Sequence, residues 1–234
     1  MAMSLNPASK TTPRGVLLDI DGTLVDSVDF HAFAWQRAFR EHGKHLTFAE
    51  IRSQIGKGAD TLLPVFLDEK ERARCGDDIA KTRGRIFKKL YLDRVRPFPE
   101  VRALCERLRA DGWQLALASS GPAEEVAHHK KLLGIADLLD AETTADDVEK
   151  SKPHPDIFEV ALKKLDGVAP EHAWVIGDTP YDAEAARKAG AHCLGVLCGG
   201  FPEADLRAGG AEAIFRDPAD LLTRYAESPL ARPS

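Results

Sequence analysis

The chain has 234 residues, 44% hydrophobic and 29% charged, with a formal net charge of −5, the profile of a globular protein with one main domain and room for a smaller module. That acidic balance offers no basic field to a nucleic-acid backbone, and no apolar stretch approaches the roughly 20 residues that span a bilayer, so neither nucleic acid nor membrane is an expected partner. The four cysteines, Cys75, Cys105, Cys193 and Cys198, form no C-x-x-C pair and no cluster with histidine, and read as free thiols of a cytoplasmic protein rather than as disulfides or a zinc site.

In chain order, residues 1–13 are polar, lack the apolar core of a signal peptide, and read as a flexible leader. Val16, Leu17 and Leu18 read as a buried strand that ends on Asp19; a second carboxylate, Asp21, follows, and Gly22-Thr23 breaks the strand into a turn. Asp26 is expected to hold a hinge turn and Ser27 to cap a helix. From there the pattern turns helical, with Phe30, Phe33, Ala34 and Phe39 spaced between charges, and residues 28–95 read as an all-helical insertion with flexible hinges, left at Pro97-Phe98-Pro99. Trp35, Trp113 and Trp174 read as core residues, and His31 and His154 as surface or packing residues.

Beyond the insertion, helix and strand signals alternate. Helices are expected over Val101–Ala110, Glu124–Leu133 (stopped by Gly134), Pro155–Leu165 and Asp182–Ala189, and after Asp217-Pro218. Strands are expected over Trp113–Ala118, Leu138–Glu142, Ala173–Ile176, His192–Leu197 and Ala213–Phe215. Such alternation predicts an α/β fold with a Rossmann-like parallel sheet, helices on both faces, and a small all-helical cap inserted after the first strand. The domain division is a core of residues 14–27 and 96–234 with a cap of residues 28–95.

Four polar clusters then fall on one rim of the sheet: Asp19/Asp21, Ser119, Lys152 and Asp178/Asp182. In open α/β sheets ligands bind beyond the carboxyl ends of the strands, where paired acids hold a divalent cation or act as nucleophile and proton carrier. The run Asp19-Ile-Asp-Gly-Thr-Leu-Val-Asp-Ser27 resembles the first motif of the haloacid dehalogenase superfamily. Ser119 after Leu-Ala-Leu-Ala is similar to its second motif, Lys152 in Lys-Pro-His-Pro-Asp-Ile-Phe158 to its third, and Gly177-Asp178-Thr-Pro-Tyr-Asp182 to its fourth. The likeness covers nearly the whole chain, and the position of the helical insertion is that of the family's phosphoglycolate-phosphatase and β-phosphoglucomutase branch.

The resemblance implies a Mg²⁺-dependent enzyme acting on small phosphorylated metabolites. Asp19 is implied as the nucleophile that takes the phosphoryl group, and Asp21 as the acid and then base. Ser119 is implied as a hydrogen-bond donor to the phosphoryl oxygens, with Ser120 beside it, and Lys152 as the fixed positive charge. The implied metal ligands are the side chains of Asp19 and Asp178, the backbone carbonyl of Asp21, and Asp182, directly or through water; Asp182 as a helix N-cap is the rival reading. Lys150 and Ser120 are rivals for the roles of Lys152 and Ser119.

An acid at Asp21 is implied for phosphatases and phosphomutases and not for dehalogenases. The loop Ile51-Arg-Ser-Gln-Ile-Gly-Lys-Gly-Ala-Asp60 resembles one that reaches into the site in this branch, with Lys57 either contacting an anionic substrate or solvated; Gly56 and Gly58 would give it mobility. Where a β-phosphoglucomutase carries an Arg shortly after the first loop glycine, this chain has Ala59. The leading expectation is therefore a phosphatase of phosphoglycolate or sugar-phosphate type, with a sugar-phosphate mutase or a non-catalytic binding protein as alternatives, acting as a monomer or homodimer.

Overall fold

The computed structural model describes residues 12–231; most of the expected leader lies outside them. Among the described residues there are eight strands: β1 (Gly15–Leu18), β2 (Val25–Asp26), β3 (Arg96–Pro97), β4 (Gln114–Ala118), β5 (Ala141–Thr143), β6 (Ala173–Gly177), β7 (His192–Val196) and β8 (Ala213–Phe215). Six form one sheet in the order β5-β4-β1-β6-β7-β8, with every pairing parallel. All four residues of β1 are buried, as a strand covered on both faces requires. Val16 and Leu18 join Leu115 and Leu117 in one core layer, while Leu17 joins Ala116, Ala118 and Val175 in the other. The chain steps outward from β1 to β4 and β5 and then returns to β6 on the other side, so β1 lies at the switch point where a crevice opens at the strands' carboxyl ends.

The helices of this part are α5 (Val101–Ala110), α6 (Ala123–Leu133), α7 (Asp156–Lys164), α8 (Pro180–Lys188), α9 (Glu203–Gly209) and α10 (Pro218–Thr223). Ile157, Phe158 and Ala161 of α7 and Ala183 and Ala186 of α8 cover one face. Val101, Leu104 and Leu108 of α5 and Leu221 of α10 cover the other. Helix α9 was not expected. The strand expected at residues 138–142 is shorter and shifted toward the C-terminus, to β5, because Ala136–Leu138 closes a helical turn first.

Between β1 and β4 the chain forms α1 (Val28–Glu41), α2 (Phe48–Arg52), α3 (Ala59–Phe66) and α4 (Glu69–Leu90). Capping boxes start α2 and α4, at Thr47/Glu50 and Asp68/Glu71, each satisfying backbone donors that the helix leaves free. α1 packs on α4, with the His31 ring stacked on Phe87 at 4.0 Å and Phe39 edge-on to Phe66 of α3. The two connections that carry this segment pair with each other: β2 and β3 run antiparallel, Val25 with Pro97 and Asp26 with Arg96, and the Phe98 N–H donates to the Leu24 carbonyl. Trp35 and Trp113 are buried. Trp174 is only partly buried and stacks on His192 at 4.7 Å. All four cysteines are free thiols. Among the described residues no helix is long and apolar enough to cross a membrane.

Candidate active site

The tight turn after β1 builds the centre of the site. The Asp19 N–H extends the sheet by donating to the Ile176 carbonyl, and the N–H groups of Thr23, Leu24 and Val25 converge on the Ile20 carbonyl. This curl turns the Thr23 hydroxyl back to within 3.1 Å of Asp19 Oδ2 and 3.0 Å of Asp178 Oδ1. Gly22 has φ of +84°, and a Cβ there would lie 2.4 Å from Asp178 Oδ2; one at Gly199, after β7, would lie 1.7 Å from it. Both positions therefore need glycine to make room for that carboxylate. Asp178 Oδ2 is buried without a hydrogen-bond partner, which natural structures rarely tolerate unless something else binds there.

Asp19, Asp178 and Asp182 each present a carboxylate oxygen within 4.8 Å of the others. An oxygen-only, anionic donor set with one orphaned oxygen suits a hard divalent cation such as Mg²⁺ better than zinc or copper. Burial, and then the neighbouring Asp182, raises Asp19 to about 7 against the pull of Lys152. Burial and the two other acids push Asp178 well above the usual carboxylate range. Such crowding is relieved when a cation favours the charged forms.

Lys152 balances part of this charge. Its Nζ donates to Asp19 Oδ1 at 2.5 Å, to the Ala118 carbonyl at 3.2 Å, and pairs with Asp182 Oδ1 at 2.7 Å. Burial alone would push the ammonium's pKa down, but Asp182 and Asp19 outweigh it and hold it above its ordinary value. The side chain is 1% exposed, whereas Lys150 is exposed. Helix α8 is capped by Thr179 rather than Asp182: the Thr179 hydroxyl accepts from the Asp182 N–H at 3.1 Å, and Asp182 Oδ2 accepts from the Thr179 N–H and hydroxyl at 3.1 and 2.6 Å. Asp182 thus closes a capping box with one oxygen and holds Lys152 with the other.

Asp21 stands apart from the carboxylate cluster. Its Oδ1 accepts from the Ser27 hydroxyl at 2.5 Å and from His31 Nε2 at 2.8 Å. Ser27 occupies the N-cap position of α1 but makes no side-chain cap bond, because its hydroxyl is committed to Asp21. Arg83 Nη2 lies 2.6 Å from His31 Nδ1; a guanidinium only donates, so Nδ1 accepts and the ring proton sits on Nε2, facing Asp21. Arg83 Nη1 continues the chain to Glu125 Oε1 of α6 at 2.9 Å. Burial opposes ionisation of Asp21, but His31, then the buried His129 and Ser27, hold its carboxyl well below the usual range. His31, Arg83 and Glu125 were not expected at the site. The i, i+4 spacing of Ser27 and His31, which puts both on one face at the start of α1, is the signal that points to His31.

Two adjoining cavities open here. A small one of about 40 Å³ is lined by Asp19, Asp21, Ser120 and Gly121, room for about three waters at about 10–15 Å³ each and hence for the bulk of a phosphoryl group. A larger one of about 390 Å³ lies between α4 and the loops after β4 and β5, lined by Ala80, Gly84, Pro122 and Val148. Trp35, Lys57, Arg83 and Ser120 border both. The Ser119 hydroxyl accepts from the Gly121 N–H at 3.0 Å, while the Ser120 hydroxyl is buried without a partner. Lys57 Nζ donates to Gln54 Oε1 at 2.6 Å and lies 4.6 Å from the Tyr181 ring centre; partial burial lowers its pKa. Asp26 is exposed and His154 partly buried.

A family model described as haloacid dehalogenase-like hydrolase matches residues 13–190. A phosphoglycolate phosphatase from Yersinia pseudotuberculosis is 35% identical over 191 residues, and one from Escherichia coli K12 is 34% identical over 209, each match covering 80% of this chain and 82% of the relative. Among solved structures, a hydrolase from Pseudomonas syringae superposes with a TM-score of 0.84 at 28% identity, covering 92% of this chain and 99% of that one. A haloacid dehalogenase-like family hydrolase from Streptococcus pneumoniae gives 0.75 at 24% identity, over 92% and 99%, a likeness of fold.

Proposed function

This chain belongs to the haloacid dehalogenase-like hydrolases, and from that premise we propose that it is a Mg²⁺-dependent phosphatase of small phosphate monoesters, phosphoglycolate or a sugar phosphate among them. The observation that carries the reading is the Asp19–Lys152–Asp182 array beside the orphaned oxygen of Asp178, with Asp21 held separately at the mouth of the same crevice.

Asp19 attacks phosphorus in line with the departing alcohol, forming an aspartyl-phosphate as the ester P–O bond breaks. Asp21 hands a proton to the leaving oxygen and, in the second step, takes one from the water that attacks phosphorus and frees Asp19. As it stands Asp21 is ionised, the form the second step needs; an entering phosphoryl group brings negative charge that raises its pKa for the first. Lys152 keeps a fixed positive charge on Asp19 and on the developing phosphoryl charge. Ser120 and Gly121 line the phosphoryl side, with the Ser119 hydroxyl next to them as a donor to the phosphoryl oxygens. Asp19, Asp178 and the Asp21 carbonyl would hold the Mg²⁺, with Asp182 directly or through water, and the cation would supply charge neutralisation between nucleophile and phosphate. The segment of residues 28–95 acts as a cap that excludes water and limits substrates to small metabolites; Lys57 and Arg83 border the leaving group's side. A monomer or a homodimer is compatible with this reading, and a cytoplasmic setting suits the free thiols.

Phosphate release from a panel of phosphorylated metabolites, with Mg²⁺ and with chelator, tests this. Asp19→Asn is expected to lower kcat by about 10³-fold or more, as removal of a nucleophile does. An unchanged rate would reject the nucleophile assignment. Interconversion of sugar phosphates without phosphate release would favour the mutase.

A further inference from the structure

Lys152 belongs to neither helix nor strand, and its two ends are held by different parts of the molecule. Its ammonium is fixed by the sheet side, through Asp19, Asp182 and the Ala118 carbonyl. Its backbone is fixed by α3. The Ser151 N–H donates to Asp60 Oδ2 at 2.9 Å and the Ser151 hydroxyl to Asp60 Oδ1 at 2.6 Å, so a single carboxylate engages both donors of that residue. The Ser151 oxygen in turn accepts from the Gly58 N–H at 2.9 Å. Thr61 Oγ1 lies 2.8 Å from the Ser151 oxygen and 3.0 Å from the Lys152 carbonyl. Since the Ser151 proton is committed to Asp60, the Thr61 hydroxyl is left to donate to the Ser151 oxygen, to the Lys152 carbonyl or, at 3.4 Å, to the Gly58 carbonyl. A Cβ at Gly58 would stand 2.6 Å from the Ser151 oxygen, so the fit depends on close backbone approach.

We propose that Asp60 and Thr61 are positioning residues for Lys152, and that seating of the helical segment on the sheet domain is what sets this lysine beside Asp19. The inference rests on the phosphatase reading above. Ser151 is buried while Asp60 stays on the exposed side of the contact. When the segment lifts, water replaces the clasp at Asp60 and the backbone around Lys152 loses its anchors; when it seats, the positive charge is brought to register before chemistry begins. Displacements of about an ångström at such a group are costly to rate, and coupling closure to charge placement would keep the open, wet form from turning over.

The test is Asp60→Ala, with Ser151→Ala as a second variant that removes the hydroxyl arm alone. For Asp60→Ala, kcat is expected to fall about tenfold with KM within about twofold of wild type, the signature of a group placed for the transition state rather than for binding; Ser151→Ala should fall between the two. Hydrogen–deuterium exchange supplies a readout independent of turnover. In the wild type, Mg²⁺ with orthovanadate should slow exchange across residues 149–156. In Asp60→Ala that slowing should vanish while the peptide over residues 15–23 remains protected, showing that the probe still binds. Normal kcat in Asp60→Ala, or wild-type protection of residues 149–156 in it, would overturn the clasp and leave the phosphatase reading intact. A wild type with no phosphatase activity would sink both.

Discussion

Asp21 shows how much a single carboxylate depends on the donors around it. Two hydrogen bonds, from Ser27 and His31, converge on one of its oxygens, and donors to the charged form favour ionisation. Replacing His31 with Phe keeps a ring against Phe87 but removes one donor, so the Asp21 pKa rises and the residue holds its proton to higher pH. A hydrogen bond to a charged group contributes about 1.5–3 kcal/mol, or about one to two pH units. Because Asp21 must carry its proton in the first step, which kcat/KM reports, the alkaline limb of that profile should move upward by that amount in His31→Phe, and a limb that stays in place would exclude the coupling. The reactive residues themselves were legible from residue type and order: Asp19, Asp21 and Asp178 sit just past strands, Lys152 ahead of α7, and Asp182 in the first turn of α8. Their partners were less so, since nothing local marks Arg83 on the polar α4 as the residue that orients His31.

At the scale of elements, the start of α8 does two jobs. Its capping box fixes the helix and at the same time aims Asp182 at Lys152. Thr179→Ala removes the cap, worth about 1 kcal/mol, which corresponds to about 2–4 °C in melting temperature for a chain of this size. It also frees one Asp182 oxygen, so kcat should drop further than the small loss of folded protein accounts for; activity that merely tracks the folded fraction in a melting assay would reject the second role. The strands β1, β4, β6 and β7 were legible because buried parallel strands are apolar runs ending in turn residues. The β2–β3 ribbon was not, because two-residue strands carry no periodicity and exist only where distant segments meet. Helix α9 is short, and only Leu206 within it is buried, which leaves almost no amphipathic signal to read.

The whole molecule gathers three acids and one lysine at the end of a buried sheet, and its stability should report their charge. Without metal, burial raises Asp19 from 3.8 to about 7, so over that window the folded state keeps a proton that the unfolded chain gives up. Metal-free stability should accordingly fall as pH rises from 3.8 to about 7, since the unfolded state binds fewer protons there. Mg²⁺ favours the ionised acids and reverses the trend, so the gain in melting temperature on adding it should widen with pH across the same window. A gain independent of pH would argue that the cation binds elsewhere. By itself the sequence determined the alternation of strands and helices, the helical insertion and the order of the reactive residues, because periodicity, turn chemistry and strand-end carboxylates act over a few neighbouring positions. Only the tertiary structure decided that Ser27 serves Asp21 instead of its helix, that Arg83 reaches across to Glu125, and that Asp60 grips Ser151. The last two contacts join residues 42 and 91 positions apart, and their geometry is set by how the helical segment packs on the sheet, which no local pattern encodes.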